Sequence, residues 1–154
     1  MSDERLTVDG DDLAGLVDLF GALSRAELVE ALEELAFRRG VEPPDEGVVD
    51  DALDAYQLVE HDGHLYPGPA AFPTLPEGAE DVPHILDVEP RTVDREALGA
   101  SVERRFRAET ARALAAENGQ RVARLLDVSY DIESWGPVEL GDVRARLDDA
   151  AGRE

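Results

Sequence analysis

Apolar residues recur at helical spacing through the first third of the chain. Positions separated by three and four residues form one face of an α-helix, and three such sets follow one another. The three sets comprise Leu13, Leu16, Val17 and Phe20, then Leu28, Leu32 and Leu35, and then Val49, Ala52, Leu53 and Tyr56. The pattern therefore predicts three consecutive amphipathic helices, preceded by a polar tail at residues 1–9.

Local signals place the ends of these helices. Ser24 and Glu27 have the spacing of a capping box, which predicts that the second helix begins after Ser24. Arg38 and Arg39 complement the helix dipole in its last turn, and Gly40 provides a stop. Pro43 and Pro44 interrupt the chain and can begin the third helix, expected at 44–56.

A hairpin signal follows the third helix. The segments 58–61 and 64–66 flank Asp62 and Gly63, a dipeptide that favours a two-residue type I′ turn. With this turn, His61 would lie opposite His64 and Val59 opposite Tyr66.

The second half of the chain is organised differently. Residues 67–93 contain six of the nine prolines together with several apolar side chains, which favours an extended strap against the body and a short strand at Ile85–Val88. Asp94 can cap a long helix reaching about Glu117, and Asn118-Gly119 is a stop signal. The inward positions of this long helix are Leu98, Val102, Phe106 and Ala113.

The last forty residues contain one ambiguous segment. A helix is expected from Val122, but residues 126–133 fit both an alternating strand and a continuing helix. A short amphipathic helix is expected from Asp142 to Ala150, with Val143 and Leu147 facing inward.

Three helices followed by a hairpin is the element order of a winged helix-turn-helix, and residues 11–66 resemble that family. The expected fold is therefore mainly α: a winged-helix-like module at 10–66, a proline-rich strap at 67–93, and a helical extension at 94–154. The alternative is a generic three-helix bundle with a trailing loop.

Charge changes how the acidic residues are interpreted. Thirty-six carboxylates face fifteen basic residues, all arginine, and the net charge is −21. Such a charge makes a compact chain repel itself, whereas near 1 M salt the Debye length falls to about 3 Å. The composition resembles that of cytoplasmic proteins of salt-in halophilic archaea. With no signal-like start and no long apolar run, a cytoplasmic location and no membrane association are expected.

The winged-helix resemblance implies DNA contact through the third helix, yet that helix is acidic. It contains Asp45, Glu46, Asp50, Asp51 and Asp54 and no arginine, so it offers no cation to a phosphate. We therefore expect this module to bind a protein rather than DNA.

The comparatively basic stretch is 94–124, with seven arginines and five carboxylates. The candidate contacts to a partner or a nucleic acid are Arg104, Arg105, Arg107 and Arg112. The alternative is a solvated helix face, because Glu103–Arg107 and Glu109–Arg112 have ion-pair spacing and Phe106 would face the core. Arg104, Arg105 and Arg112 would then share one flank without intrahelical partners.

Chemistry-bearing motifs are sparse. The chain has no cysteine, no lysine and none of the glycine-rich phosphate loops or nucleophile motifs of enzymes. His61 and His64 could bind a metal across the hairpin, but two ligands alone rarely make a site, so neither a metal nor another cofactor is expected.

Three functions remain open. The first is a non-enzymatic regulatory or interaction protein that docks a protein partner through the winged module or the 94–117 helix, with a homodimer possible. The second is a DNA-binding regulator that uses Arg25, Arg38, Arg39 and the Arg104–Arg112 flank. The third is an enzyme with a site built from scattered carboxylates.

Overall fold

The structure is a computed structural model that describes residues 4–45, 47–82 and 91–152. The chain divides into two compact units, Met1–Thr92 and Val93–Glu154. Over the described residues it is mainly helical, with six α-helices and one two-stranded antiparallel sheet. The prediction of a mainly α protein is confirmed.

The first unit begins with three helices: α1 (Gly10–Phe20), α2 (Arg25–Arg39) and α3 (Gly47–Asp54). The capping box of Ser24 and Glu27 is present, and Gly40 ends α2 in the left-handed region with φ 69°. The inward positions predicted for α1 and α2 are all buried. Helix α3 is shorter than expected, and Tyr56 lies beyond its end with φ 60°.

The hairpin has the predicted register. Strands β1 (Leu58–His61) and β2 (His64–Pro67) pair His61 with His64 and Val59 with Tyr66. Asp62 and Gly63 have φ 54° and 80°, and positive φ at both positions is what a type I′ turn requires. The dipeptide therefore determined both the turn and the strand pairing.

A further bridge connects the hairpin to the turn between α1 and α2. The Leu65 amide donates to the Leu23 carbonyl at 2.7 Å, and the Leu23 amide donates to Leu65 at 3.3 Å. Both side chains are fully buried. This bridge fixes β2 against the helices, and no local pattern in the sequence indicates it.

The expected polar tail at residues 1–9 is wrong for its described part. The Glu42 amide donates to the Glu4 carbonyl, and the Leu6 amide donates to the Glu42 carbonyl, both at 2.8 Å. Leu6 is only 4% exposed and belongs to the core of the unit. Two apolar residues, Leu6 and Val8, are too few to carry a periodic signal, which explains the error.

Residues 68–82 contact the helices of this unit. The amides of Phe72 and Thr74 donate to the side chain and the carbonyl of Asp11, respectively. A Cβ on Gly15 would lie 1.9 Å from the Thr74 carbonyl oxygen, so glycine permits this close approach. Phe72 nevertheless remains 80% exposed. The strand expected at Ile85–Val88 lies outside the described residues.

The second unit consists of α4 (Arg95–Ala115), α5 (Gly119–Trp135) and α6 (Gly141–Ala151). Asp94 caps α4 as predicted, and Asn118 acts as the N-cap of α5 by accepting from the Arg121 amide at 3.2 Å. The predicted inward residues of α4 and α6 are buried.

Residues 126–133 are helical, which resolves the ambiguity. The buried positions of α5 follow helical spacing, whereas Tyr130, which the alternating pattern would place inward, is 54% exposed. These buried residues are Val122, Leu125, Val128, Ser129 and Ile132. Helical packing against α4 and α6 therefore overrides the local alternation.

Candidate interaction surfaces

Two of the four candidate arginines are exposed on α4. Arg104 and Arg112 are separated by eight residues, about 12 Å along the helix. Within the part of the chain that the structure describes, neither guanidinium makes a hydrogen bond or an ion pair. These two side chains are therefore available to a partner.

Arg105 is not available in the same way. Its Nε donates to Glu109 Oε1 at 2.9 Å, and Arg121 from α5 donates to Glu109 Oε2 at 2.6 Å. The Glu109 side chain is only 15% exposed. The expectation that Arg105 lacks an intrahelical partner is wrong, and so is the pairing of Glu109 with Arg112, because Glu109 is held between Arg105 and Arg121.

Arg107 connects two helices. It donates to Glu103 at 2.8 Å, as the spacing predicted, and both of its terminal nitrogens donate to Asp142 of α6 at 3.1 and 3.2 Å. The hydrogen bonds to Asp142 and Glu103 raise the pKa of Arg107, and those from Arg107 lower the pKa of Asp142. The role of Arg107 is consequently to hold α6 on α4.

Arg144 belongs to a second cluster that the sequence pattern does not indicate. It pairs with Glu133, donates to Ser129 Oγ at 3.0 Å and lies 4.0 Å from the centre of the Tyr130 ring. Its hydrogen bond is the main cause that lowers the pKa of Glu133. These partners lie 11 to 15 positions away, beyond any helical spacing, so only the packing of α5 on α6 reveals them.

The exposed face of α3 is uniformly acidic. Its exposed residues are Asp50, Asp51 and Asp54. The nearby Arg25 donates to Asp50 at 3.0 Å, and both side chains are largely exposed. A phosphate backbone approaching this face would therefore meet three carboxylates and one arginine already engaged by one of them.

An apolar groove runs between α2 and the segment leading into α3. It joins adjoining depressions that share Glu33, and the two larger ones measure about 600 Å³ each. Val29, Val41 and Pro43 contribute apolar surface, and Phe37 stands at one end with 81% of its surface exposed. We call this feature the α2 groove.

The two histidines of the hairpin, His61 and His64, pair across the strands. Across residues 4–45, 47–82 and 91–152, no group of three or more metal-ligating side chains is present.

One ion pair in the first unit, between Arg91 and Glu27, has two hydrogen bonds. Arg91 donates to both oxygens of Glu27 at 2.5 and 2.9 Å, and Glu27 also accepts from the Ser24 amide. The hydrogen bonds from Arg91 are the main cause that lowers the pKa of Glu27 to about 2. This pair joins residue 91 to the start of α2.

Comparison with known proteins places the chain in a family without assigning an activity. A family model described as "Family of unknown function (DUF7109)" matches residues 11–152. The chain belongs to this family. No curated protein and no solved structure matches the chain. Among the described residues, no helix is both long and apolar enough to span a bilayer.

Proposed function

We propose that this chain is a non-enzymatic regulatory or interaction protein of a halophilic archaeon, which docks a protein partner in the cytoplasm. The docking element is either the winged-helix-like module at residues 10–66 or helix α4. In this proposal residues 67–93 act as a strap, and no cofactor takes part.

The order and pairing of elements support the winged-helix part of the proposal. Three helices precede a two-stranded hairpin, and Leu23 between α1 and α2 bridges to Leu65 in β2. In a winged helix the third helix and the wing form the face that reads a nucleic acid. The chemistry of that face then decides which class of partner it can bind.

The observation that carries the proposal is the composition of the α3 face. Every exposed residue of α3 is an aspartate, and the hairpin tip adds Glu60 and Asp62. DNA affinity derives largely from cations that neutralise phosphates and release counterions, and this face offers none that is unengaged. An acidic recognition face favours a protein that presents arginine or lysine.

One observation favours the second candidate, a DNA-binding regulator. Arg104 and Arg112 are exposed and unengaged among the described residues, and their separation of about 12 Å suits two contacts along a phosphate backbone. Only two such cations on one flank would produce weak binding in concentrated salt.

A mobility shift in about 2 M KCl separates the two candidates, because ions of that density screen non-specific attraction. The informative variant is Arg104→Ala with Arg112→Ala, since substitution of Arg105 or Arg107 also removes contacts that hold the unit together. Arg124→Ala with Arg146→Ala provides the control, because both arginines are also exposed. We expect no specific shift from the wild-type protein, whereas a specific shift lost only in the first variant supports the regulator.

Affinity capture from a native lysate in the same salt tests the protein-docking proposal directly. We expect one stoichiometric protein, lost from the Asp51→Arg with Asp54→Arg variant if α3 is the docking element and from the Arg104 and Arg112 variant if α4 is. Recovery of nucleic acid alone, or of no protein from repeated captures, would contradict the proposal.

A further inference from the structure

The outer face of α2 combines an exposed aromatic ring with carboxylates. Glu30, Glu33 and Phe37 follow one another at spacings of three and four residues, so they lie on one side of the helix. All three are exposed, and Phe37 has 81% of its surface exposed. A single apolar residue on a surface is ordinary, but this ring stands at one end of the α2 groove, where Val29 and Val41 contribute apolar surface.

The rim of the α2 groove is acidic. In the part of the chain that the structure describes, three glutamates line it without a hydrogen bond or an ion pair: Glu30, Glu33 and Glu34. The arginines at the two ends of the helix are engaged elsewhere. Arg25 donates to Asp50 at 3.0 Å, and Arg39 donates to the Glu77 carbonyl. The groove is therefore apolar along its floor and negatively charged along its edge.

The backbone beside the groove is largely used, which decides the form of an occupant. Residues 4–6 pair with both the amide and the carbonyl of Glu42. Pro43 has no amide, and its carbonyl accepts from Arg5 at 3.2 Å. An extended peptide would therefore find little free backbone with which to form a strand. A helix satisfies its own backbone and needs only side-chain contacts in a groove.

The length of the groove suits about three turns of a partner helix. Its α2 wall runs from Ala26 to Phe37, which is about 17 Å at a rise of 1.5 Å per residue. A helix of this span would place apolar residues, three and four positions apart, on the floor of the groove. Its flanking positions would reach the acidic rim, where arginine or lysine would meet the glutamates.

Other occupants fit this surface less well. A nucleic acid would bring its phosphates to three glutamates. A second copy of the chain would need a basic helix with an exposed apolar face. The ring between Arg105 and Arg107 on α4, Phe106, is fully buried, so that segment does not present such a face. The charge and the form of the groove thus favour a basic helix from a different protein.

We propose that the α2 groove is the docking site for a basic amphipathic helix of a protein partner. Apolar side chains of that helix pack on Val29, Val41 and Phe37. Its arginines or lysines pair with Glu30 and Glu33. This inference rests on the proposed function and deepens it, because it names both the surface of the winged-helix-like module that docks the partner and the chemistry of the partner.

Concentrated salt makes binding at the groove distinguishable from general attraction. In dilute buffer a chain of charge −21 attracts any basic peptide over its whole surface. Near 1 M salt the Debye length is about 3 Å, so this attraction is screened, whereas the apolar contact and the ion pairs at contact distance remain. Binding in about 2 M KCl therefore reports the groove rather than the net charge.

Fluorescence anisotropy of labelled peptides with the full chain in about 2 M KCl tests the proposal. The probe is a peptide of about 18 residues, with leucines three and four residues apart and arginines at the flanking positions. One control peptide has the same composition in an order that puts the leucines on no common face. The other has glutamate in place of each arginine. The wild-type chain should bind the probe at least about ten-fold more tightly than either control.

Two matched variants test the apolar part of the contact. Phe37→Ser should raise the dissociation constant of the probe about ten-fold, because the ring at the end of the groove is lost. Phe72→Ser is the control, since its ring is 80% exposed and does not line the groove, and it should leave the dissociation constant unchanged.

Two further variants test the charged part. Glu30→Arg with Glu33→Arg should weaken binding of the probe about ten-fold and strengthen binding of the glutamate peptide, because the rim changes sign. Asp51→Arg with Asp54→Arg makes the same change in net charge on α3 and should do neither. All four side chains are exposed, and circular dichroism verifies the fold. If the first pair fails to fold as arginine, Glu30→Gln with Glu33→Gln replaces it and should still weaken binding of the probe.

Several results would overturn the inference. One is binding of either control peptide as tightly as the probe. Another is an equal loss of affinity in Phe37→Ser and Phe72→Ser, or in the glutamate and aspartate pairs. A third is a wild-type chain that sediments as a dimer in molar salt and dissociates on Phe37→Ser, because a second copy then fills the groove.

Affinity capture separates failure of this inference from failure of the proposed function. A partner that is retained by Glu30→Arg with Glu33→Arg, but lost from the α3 or the α4 variant, supports the proposed function and overturns docking at the groove. Recovery of no protein contradicts the proposed function. The peptide measurements need no lysate, so they still decide whether the groove binds a basic helix.

Discussion

The two units of the chain differ in net charge and in how many of their carboxylates are paired with arginine. Residues 1–92 contain 23 carboxylates and 5 arginines, a net charge of −18, whereas residues 93–154 contain 13 and 10, a net charge of −3. In the first unit Glu30, Glu33, Glu34 and two of the α3 aspartates meet no cation within the described ranges. In the second unit arginines from neighbouring helices engage the carboxylates that lie between them.

This difference in charge shows which interactions stabilise each unit. Arg107, Arg121 and Arg144 connect different helices of the second unit, so its ion pairs are part of its packing. The first unit depends mainly on a continuous apolar core that includes Leu13, Leu28 and Leu65, while most of its described acids are exposed. Uncompensated surface charge costs stability when it is not screened.

Salt removal should produce the largest effect, and it should act on the first unit. Dialysis from about 2 M to 0.1 M KCl should abolish amide-exchange protection in residues 4–82 before it affects residues 95–151, because unscreened repulsion grows with net charge. Hydrogen exchange with mass spectrometry measures both units at once, and the fluorescence of Trp135 follows the second alone. Simultaneous loss of protection in both units would contradict the difference drawn from their charges.

Truncation of a buried ring comes next in size. Phe106 is fully buried in the second unit, so Phe106→Ala should lower the free energy of unfolding by about 3–5 kcal/mol. Phe72→Ala removes the same side chain from an exposed site and should change it by less than about 0.5 kcal/mol. Urea unfolding in molar KCl measures both. Equal losses would mean that Phe72 packs in solution as Phe106 does.

Acid should weaken the strongest ion pair of the first unit. The pKa of Glu27 is lowered from 4.5 to about 2, so this carboxylate stabilises the fold above its unfolded pKa and loses that contribution as the pH falls from 4.5 to about 2. The contribution at neutral pH should be about 2 kcal/mol, less than the full shift because solvent and salt partly screen the pair.

The comparison of Glu27→Gln with the wild-type chain measures this contribution, since glutamine still accepts from the Ser24 amide. The stability difference between the two proteins, followed by urea unfolding at constant salt, should disappear between pH 4.5 and 2. Glu60→Gln, which changes an exposed carboxylate of the hairpin, is the control. A difference between wild type and Glu27→Gln that stays constant down to pH 2 would contradict the assignment.

The smallest effects concern two arginines with different partners. Arg107→Met should lower the unfolding temperature more than Arg25→Met, because Arg107 connects α4 to α6 through two hydrogen bonds to Asp142 and also donates to Glu103. Arg25→Met removes a single contact to Asp50 between side chains that are 45% and 66% exposed, and should cost less than about 0.5 kcal/mol. Thermal unfolding of both variants side by side provides the measurement, and a larger loss for Arg25→Met would reverse the interpretation of how the units use charge.

Local rules account for much of this fold. The Ser24 capping box, the Gly40 stop, the Asp62-Gly63 turn and the inward faces of four helices follow from spacing and backbone preference, which act within a few residues. The same rules fail at Leu6 and Val8, which pack on the core without a periodic pattern, and at residues 126–133, where two periodicities fit equally well.

Local rules predict less about the candidate interaction surfaces. The sequence indicated four arginines, and helical spacing already offers Arg105 a partner in Glu109 and Arg107 a partner in Glu103. Only the packing of helices adds Arg121 to Glu109 and Asp142 to Arg107. The α2 groove could not be foreseen either, since it combines α2 with residues 41–45, Val48 and Val49, which only the tertiary structure brings together.

The amino-acid sequence by itself determined where helices start and stop, how the hairpin turns and how much charge the chain carries, since each depends on neighbouring residues or on composition alone. Tertiary structure decided which charges meet, which aromatic ring is buried and which remains exposed, and where Leu23 joins the sheet. These features depend on residues far apart in the chain, which come into contact only when the apolar faces of the helices pack together.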